Sequence, residues 1–424
     1  MPSQEKEYDV VLYGASGFTG SIVAQYLAEH PQAPKIAFAG RNAAKLRKVR
    51  DGLSGVSKAR IESIGLMEAS ASDKASLHRL AKCATVVINT VGPFSLLGAY
   101  DLARAVAEEG GGYVDLTGES NVYHEEVQDL HSLAQKTGAV LVPSSGFDSL
   151  PFDLSAYVAA KEVKKVLGKE ATIGNVLVGF HVEGSMSGGT LASGIAMKND
   201  PIALYYDEPY YLSPLKGKQT TRSYKWKYLP QYRGYGSFSP FTAHNTRVVY
   251  RSWGLLEEAK SSKRYGPNFG YEEAELCKSR LTAFIMSSQF QYFPYMLKVP
   301  GFAQIAAKVL PPGTGPSLEQ QRKGCAKLRT IAEADDGKTR CMSTFSVKGD
   351  PGYLKSAAFL AESALTLAFE KKHYSRMAQQ GGLLTPATAA PDALIARLTQ
   401  YAGVTIQAQN VTGQKDLTKI MPSH

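Results

Sequence analysis

The sequence is poor in cysteine, and the few it has do not pair. Cys83, Cys277, Cys325 and Cys341 are the whole complement of 424 residues, and no two stand in a CxxC spacing. That excludes a disulfide framework and a cysteine-built zinc site, and it predicts reduced thiols in an intracellular protein. No His/Cys cluster suggests a metal, and none is expected. Long hydrophobic runs are missing too, so no conventional membrane-spanning helix is expected. The opening residues, Met1 to Glu7, are polar and lack the apolar centre of a signal peptide. The expected location is cytoplasmic, with a lipid-droplet or membrane surface as the variant reading. There is no internal repeat or low-complexity tract. Acid is scarce in one segment. Between Lys216 and Arg264 eleven Lys or Arg face only Glu257 and Glu258, so nearly all of the formal charge of +10 arises there. The segment is laced with Tyr224, Trp226, Tyr228, Tyr232, Tyr235 and Trp253. No nucleic-acid motif accompanies this charge, which argues against a nucleic-acid partner. A solvated sheet face, an anionic substrate, an acidic carrier protein or a membrane surface remain.

What is present begins with a glycine loop, Gly14-Ala15-Ser16-Gly17-Phe18-Thr19-Gly20. Before it runs Tyr8 to Tyr13, apolar and of strand type. After it, apolar residues recur at helical spacing. The loop is therefore a strand-to-helix turn. Gly14 allows the tight turn, Gly17 lets a ligand approach the backbone, and Gly20 lets the helix pack on the strand. Amides of the first helical turn then face a phosphate. The spacing is GxxGxxG, a weak signal alone that gains force from its place between strand and helix.

Residues 8 to 155 continue as alternating strands and helices. Strands are expected at Tyr8–Tyr13, Lys35–Gly40, around Ala59–Gly65, Ala84–Asn89, Tyr113–Leu116 and Ala139–Val142. Asn42 and Ser72 or Asp73 are candidate helix caps. This pattern predicts an α/β fold, an N-terminal doubly wound parallel sheet of Rossmann type. Ligands of such sheets lie at the carboxyl ends of the strands. The informative loops are thus the glycine loop, Gly40-Arg41-Asn42, Thr90-Val91-Gly92-Pro93-Phe94, Thr117-Gly118-Glu119 and Ser144-Ser145-Gly146-Phe147-Asp148. An NAD site places an acid after the second strand. Here Arg41 stands instead, suited to pair with a 2′-phosphate, so NADP(H) is the expected cofactor.

Beyond residue 155 the pattern becomes a second, mixed α/β domain. A strand is expected at Val176–Val182 and a helix from Leu191 to Lys198. Residues 281 to 310 are apolar and aromatic, and read as a buried helix pair, a dimer contact or a membrane-interface element. Ala326–Ala334 and Cys341–Lys348 form an antiparallel pair, followed by helices Tyr353–Lys371 and Asp392–Tyr401 and a strand Val404–Gln407.

Taken together, the segments Val10–Gly20 (VVLYGASGFTG), Ala39–Asn42 (AGRN), Val87–Phe94 (VINTVGPF) and Tyr113–Glu119 (YVDLTGE) resemble the saccharopine dehydrogenase-like oxidoreductases. So do Ser145–Asp153 (SGFDSLPFD), Met186–Ser193 (MSGGTLAS), Pro312–Ser317 (PGTGPS), Gly349–Tyr353 (GDPGY) and Leu383–Ala389 (LLTPATA). That group includes trans-acting enoyl reductases of polyketide lipid assembly and lipid-droplet-associated eukaryotic members. The resemblance implies a Rossmann domain over residues 1–155, a substrate and dimerisation domain over 156–350, and C-terminal helices over 351–424 that return toward the first domain. It also implies nicotinamide-dependent reduction of a C=C or C=N bond.

The expected cofactor site comprises Gly14, Ser16, Gly17, Phe18, Thr19, Gly20, Arg41, Asn42, Thr90, Val91, Gly92, Pro93, Asp115, Thr117, Gly146 and Phe147. Reduction also needs one proton donor. Asp148, Ser145, Asp115 and His181 are the candidates by position, with Tyr113 more remote. Tyr157 and Lys161 make a Tyr-x-x-x-Lys pair like that of short-chain dehydrogenases, which the surrounding motif argues against. The leading expectation is an NADP(H)-dependent reductase of an enoyl bond in a hydrophobic substrate, small or tethered to an acyl carrier. An imine reductase and a lipid-surface protein with a non-catalytic nucleotide site are the alternatives. A homodimer is a further expectation.

Overall fold

The computed structural model describes residues 6–184, 188–199, 208–217, 226–311, 314–414 and 417. Its first sheet contains β1 (Tyr8–Tyr13), β2 (Ile36–Gly40), β3 (Gly65–Glu68), β4 (Ala84–Asn89), β5 (Gly112–Asp115) and β6 (Val140–Val142), with a short strand from the far end of the chain, β13 (Gly382–Leu383). The order is β13-β6-β5-β4-β1-β2-β3, and every pairing is parallel. Such a sheet is covered on both faces, which is why β1, β2 and β4 are nearly continuous apolar runs. Helices Lys74–Cys83, Ala99–Glu108 and Ser120–Thr137 cover one face. The other is covered by Phe18–Glu29 and Ala43–Asp51 together with Ser356–Phe369, which arrives from the C-terminal region. Small residues on that last helix, Ala357, Ala361 and Ala364, let it lie close against β1, β4 and β5.

The second sheet holds β7 (Ile173–Glu183), β8 (Tyr228–Leu229), β9 (Gly234–Ser237), β10 (Gly270–Cys277), β11 (Cys325–Ala334), β12 (Arg340–Lys348) and β14 (Thr405–Asn410). Its order is β14-β12-β11-β7-β10-β9-β8. Only β7 and β10 pair in parallel, so the sheet is mixed. Helix Leu150–Leu167 leaves the last loop of the first sheet and packs on β11, β12 and β14. Phe152 on that helix meets Phe180 of β7 edge to face at 5.1 Å. The two sheets therefore share a core through this helix.

Several expectations are corrected. The third strand is Gly65–Glu68, not Ala59–Gly65, because Ser57 caps a short helix, Lys58–Glu62, through Arg60 N. The Arg60 guanidinium then ties that helix to the carbonyl of Pro34 at 2.8 Å. The basic segment is not one solvated face. It forms β8, β9 and helix Thr242–Glu258, and within it Arg247 and Arg251 are only 2% and 1% exposed. Lys218, Arg222, Tyr224 and Lys225 lie outside the described residues, as do Ser185 to Ser187 and Pro312 and Gly313. Residues 281 to 310 do form two helices, Arg280–Met296 and Phe302–Val309, but much of their apolar surface is exposed. Among the described residues no helix is long and apolar enough to cross a membrane.

Candidate nucleotide and substrate site

The glycine loop follows β1 and enters helix Phe18–Glu29 at Gly17. Gly14 takes φ +90°, and a Cβ there would lie 2.6 Å from Val91 Cγ2 and 2.7 Å from Thr90 Oγ1. A Cβ on Gly20 would collide with the Gly14 carbonyl. Both positions therefore demand glycine. The Gly17 amide donates to the Gly14 carbonyl at 2.9 Å, closing the turn. No side chain caps the helix, and its first turn holds no acid. Its leading amides are left facing outward beside exposed Ser16 and Gly17 and half-buried Phe18 and Thr19, an arrangement that fits a pyrophosphate. The Phe18 ring turns away from the loop onto Tyr353, edge to face at 5.3 Å.

At the tip of β2, Arg41 is exposed and has no ion-pair partner among the described residues. Asn42 caps the next helix, its Oδ1 accepting from Lys45 N at 2.9 Å. Glu68, at the end of β3, accepts from Ala43 N at 3.1 Å. Glu68 thus serves the helix start, and the Arg41 guanidinium is exposed to solvent. After β4, Thr90 Oγ1 donates to the Tyr13 carbonyl at 3.0 Å, holding this loop against the glycine turn. Gly92 is exposed and Pro93 half-buried at its tip.

The loops after β5 and β6 are joined by a buried network. Asp115 is 0% exposed. Its Oδ1 accepts from the amides of Thr117 and Ser144, both at 2.9 Å, and its Oδ2 from Tyr113 Oη at 3.0 Å. Burial pushes its carboxyl up to about 6, against the pull of these donors. Ser144, held at φ +56°, donates its hydroxyl to the Thr117 carbonyl at 2.7 Å. It therefore accepts from His244 Nε2, at 2.9 Å, and His244 Nδ1 accepts from Ser120 Oγ at 2.8 Å. Burial, with Arg247 nearby, lowers the His244 imidazole to about 3, so it stays neutral. Glu119 binds the β4 loop from the side: Oε1 accepts from Phe94 N and Oε2 from Ser95 N, both at 2.9 Å. Ser193, on helix Gly188–Ala196, donates to the same Glu119 Oε1 at 3.1 Å. Thr190 of that helix meets Tyr353 Oη at 2.8 Å. A helix of the second domain is thus laid over the loop edge of the first.

These contacts correct part of the expected site. Asp115, Thr117, Ser145 and Phe147 are each 2% exposed or less, and Gly146 is buried. Ser145 Oγ donates to the Val142 carbonyl at 2.8 Å, and Phe147 N donates to Ser356 Oγ at 2.8 Å. They are struts that shape the edge from within. His181 does not join the site. Phe180 faces the shared core, so His181 faces the opposite side of the sheet, exposed and paired with Glu183 at 3.1 Å. Tyr157 and Lys161 both bind Asp392, at 3.0 and 2.7 Å, and form no catalytic pair. Asp148 is different. It is half-buried, and no described residue hydrogen-bonds its carboxyl. Burial alone pushes it up to about 6. Its neighbour Ser149 donates to Asn245 Oδ1 at 3.1 Å, and Asn245 Nδ2 donates to Glu273 of β10 at 3.2 Å, so the second domain holds this turn.

Residues 10–142 match the saccharopine dehydrogenase NADP-binding domain. The whole chain is similar to a trans-acting enoyl reductase of Mycobacterium ulcerans, 33% identical over 435 residues, which span 96% of this chain and 99% of that one. A trans-acting enoyl reductase of Mycobacterium tuberculosis is 34% identical over 429 residues, 94% of this chain and 97% of its own. The chain belongs to the trans-acting enoyl reductase family. Among solved structures, the apo saccharopine dehydrogenase (L-Glu forming) of Saccharomyces cerevisiae covers 96% of the chain and 100% of its own, with a TM-score of 0.54 at 14% identity, and shares the fold.

As a member of this family the chain is an oxidoreductase whose first sheet is an NADP-binding domain. The features that sequence reasoning missed in this enoyl reductase relative are His244, the clamp by Glu119 and the bridge through Asn245. His244 bonds residues 124 and 100 positions away, and Asn245 bonds one 96 away. Glu119 carried a weak local signal, since it closes the Thr117-Gly118-Glu119 loop already marked as a strand end.

Proposed function

We propose that the protein reduces a C=C bond conjugated to a carbonyl in a hydrophobic acyl substrate, using NADPH, and that Asp148 delivers the proton. When bound, NADPH supplies the hydride. In this reading residues 1–155 hold the cofactor, 156–350 wall the substrate, and 351–424 brace the first sheet. The amides at Gly17 to Thr19 hold the pyrophosphate and Arg41 the 2′-phosphate. Asp148 stands at the carboxyl edge of β6 with a carboxyl that burial keeps protonated to about 6, so it can give a proton to the carbon next to the carbonyl. The observation that carries this assignment is that Asp148 alone of the candidates is not taken up by another group. Ser145 and His181 are bonded as above, Asp115 and Tyr113 are tied to each other, and Asp115 is also tied to the amides of Thr117 and Ser144.

A reductase of amino-acid imines would need guanidinium groups in the cleft for substrate carboxylates. The two buried arginines of helix Thr242–Glu258 serve other ends. Arg247 donates to the Glu208 carbonyl, and Arg251 to those of Leu212 and Leu383. Behind the Asp148 turn stands a carboxyl, Glu273, raised to about 7 by burial. Delivery by an acidic acyl carrier is part of the proposal, supported by exposed Lys216, Lys227 and Arg233 in the basic segment.

The test is single-turnover reduction of 2-enoyl thioesters of graded chain length with NADPH deuterated at C4. Deuterium in the saturated product, with rate rising with chain length, is the expected result. Deuterium transfer to imines but not to enoyl thioesters would overturn the assignment. Tight NADPH binding with no transfer to either would favour a non-catalytic nucleotide site.

A further inference from the structure

Helix Arg280–Met296 carries large apolar residues on its outer side as well as on its seated side, where Phe293 packs against the cluster of Leu191 and Leu297. An amphipathic helix normally buries its large apolar residues and exposes small or polar ones. Here Ala283 and Ser287 are buried, with Ser287 Oγ accepting from Phe238 N at 3.0 Å. The large residues Leu281, Phe284, Ile285, Tyr292, Tyr295 and Met296 are exposed, Leu281 to 67% and Tyr292 to 60%. Their spacing places all six within an arc of about 120° on one side of the helix. The next helix, Phe302–Val309, continues the surface with Ile305 at 63% and Val309 at 79% exposed.

The charge around this face has one sign. From Leu276 to Leu318 the chain contains no Asp or Glu, while Lys278, Arg280, Lys298 and Lys308 are all exposed. Large apolar side chains, tyrosines and a cationic border without acids match a bilayer interface: apolar groups enter the acyl boundary, tyrosines sit at the headgroups, and cations meet phosphates. We propose that this helical pair docks the protein on an anionic membrane surface. The lysines and Arg280 supply the attraction to anionic lipid, and the apolar stripe supplies the residence.

The test is co-sedimentation of the full chain with phosphatidylcholine vesicles, with and without phosphatidylglycerol. The protein is expected to bind the anionic vesicles at least about ten-fold more tightly, and to lose that preference at high salt. A Leu281→Glu/Ile285→Glu variant is expected to reduce vesicle binding about ten-fold with NADPH affinity unchanged, which also reports that it is folded. Should that variant lose NADPH binding, a Lys298→Glu/Lys308→Glu variant decides: it must lose the preference for anionic lipid. Wild-type protein that stays in the supernatant, or variants that bind as well as wild type, would overturn the proposal. So would sedimentation velocity showing a wild-type dimer that the Leu281→Glu/Ile285→Glu change splits, with no vesicle binding, since that gives the face to a second copy. None of these readouts uses turnover, so they stand apart from the reductase assignment.

Discussion

Replacing Asp148 with asparagine separates a working acid from a structural one. The side chain is half-buried and raised from 3.8 to about 6 by burial alone. A folded-state value above the unfolded one means that ionisation is harder in the native state. Below about pH 4 the carboxyl is neutral in both states and costs nothing. Between about 4 and 6 the unfolded chain ionises first, and stability falls as pH rises. Above about 6 the full difference applies: about two units, or about 3 kcal/mol, reduced to about 2 by the solvent that still reaches a partly buried group. The Asp148→Asn variant avoids that cost. It should be about 2 kcal/mol more stable than wild type at pH 7.5 and equal to it near pH 4, as read by thermal unfolding across the range.

Activity should move the other way. Wild-type turnover of an enoyl thioester is expected to fall as pH rises through about 6, when the donor ionises. The variant should lose about 10²–10⁴-fold in kcat and lose that limb of the pH profile, with NADPH affinity unchanged. A variant that keeps both rate and pH limb refutes Asp148 as the donor. Equal stability gains at pH 4 and pH 7.5 would refute the burial argument itself, since an amide that merely packs better has no pH dependence. A loss of stability at every pH would mean that the carboxyl caps the following helix, although that helix has no side-chain cap bond at Ser149.

Other substitutions test the remaining parts of the site. Arg41→Ala should weaken NADPH binding by about 10- to 100-fold, the worth of a charge-assisted contact, and leave NADH binding unchanged, both read by fluorescence titration. Glu119→Ala leaves the amides of Phe94 and Ser95 without their acceptor, so it should cost about 3 kcal/mol by thermal unfolding and weaken NADPH binding. Tyr157→Phe removes one hydrogen bond to Asp392 and should cost about 1 kcal/mol with turnover within about two-fold of wild type. A loss of a hundredfold or more there would restore the short-chain dehydrogenase reading.

The parts of this site that the sequence discloses are those made by neighbours in the chain. The glycine loop is legible because a tight turn, a close approach and a helix start are set by residues within one turn of each other, and the structure puts Gly14 and Gly20 where a Cβ would clash. Arg41 is legible because it directly follows a strand. A strand end marks which loop meets the ligand, but not which of its side chains face outward. That is decided by partners elsewhere. Asp115 turns inward because Ser144, 29 residues on, offers its amide. Phe147 is buried because Ser356, 209 residues on, takes its amide. The same cause hides β13, whose two residues join the first sheet only because helix Ser356–Phe369 carries the chain back across it. Asp148 escapes this fate because its neighbours on both sides are engaged and it is not. Phe147 is pinned to Ser356 and Ser149 to Asn245, so the turn is held on both flanks while the carboxyl between them remains open. A proton donor needs that combination: fixed in place by its flanks, and free of any bond that would hold its proton.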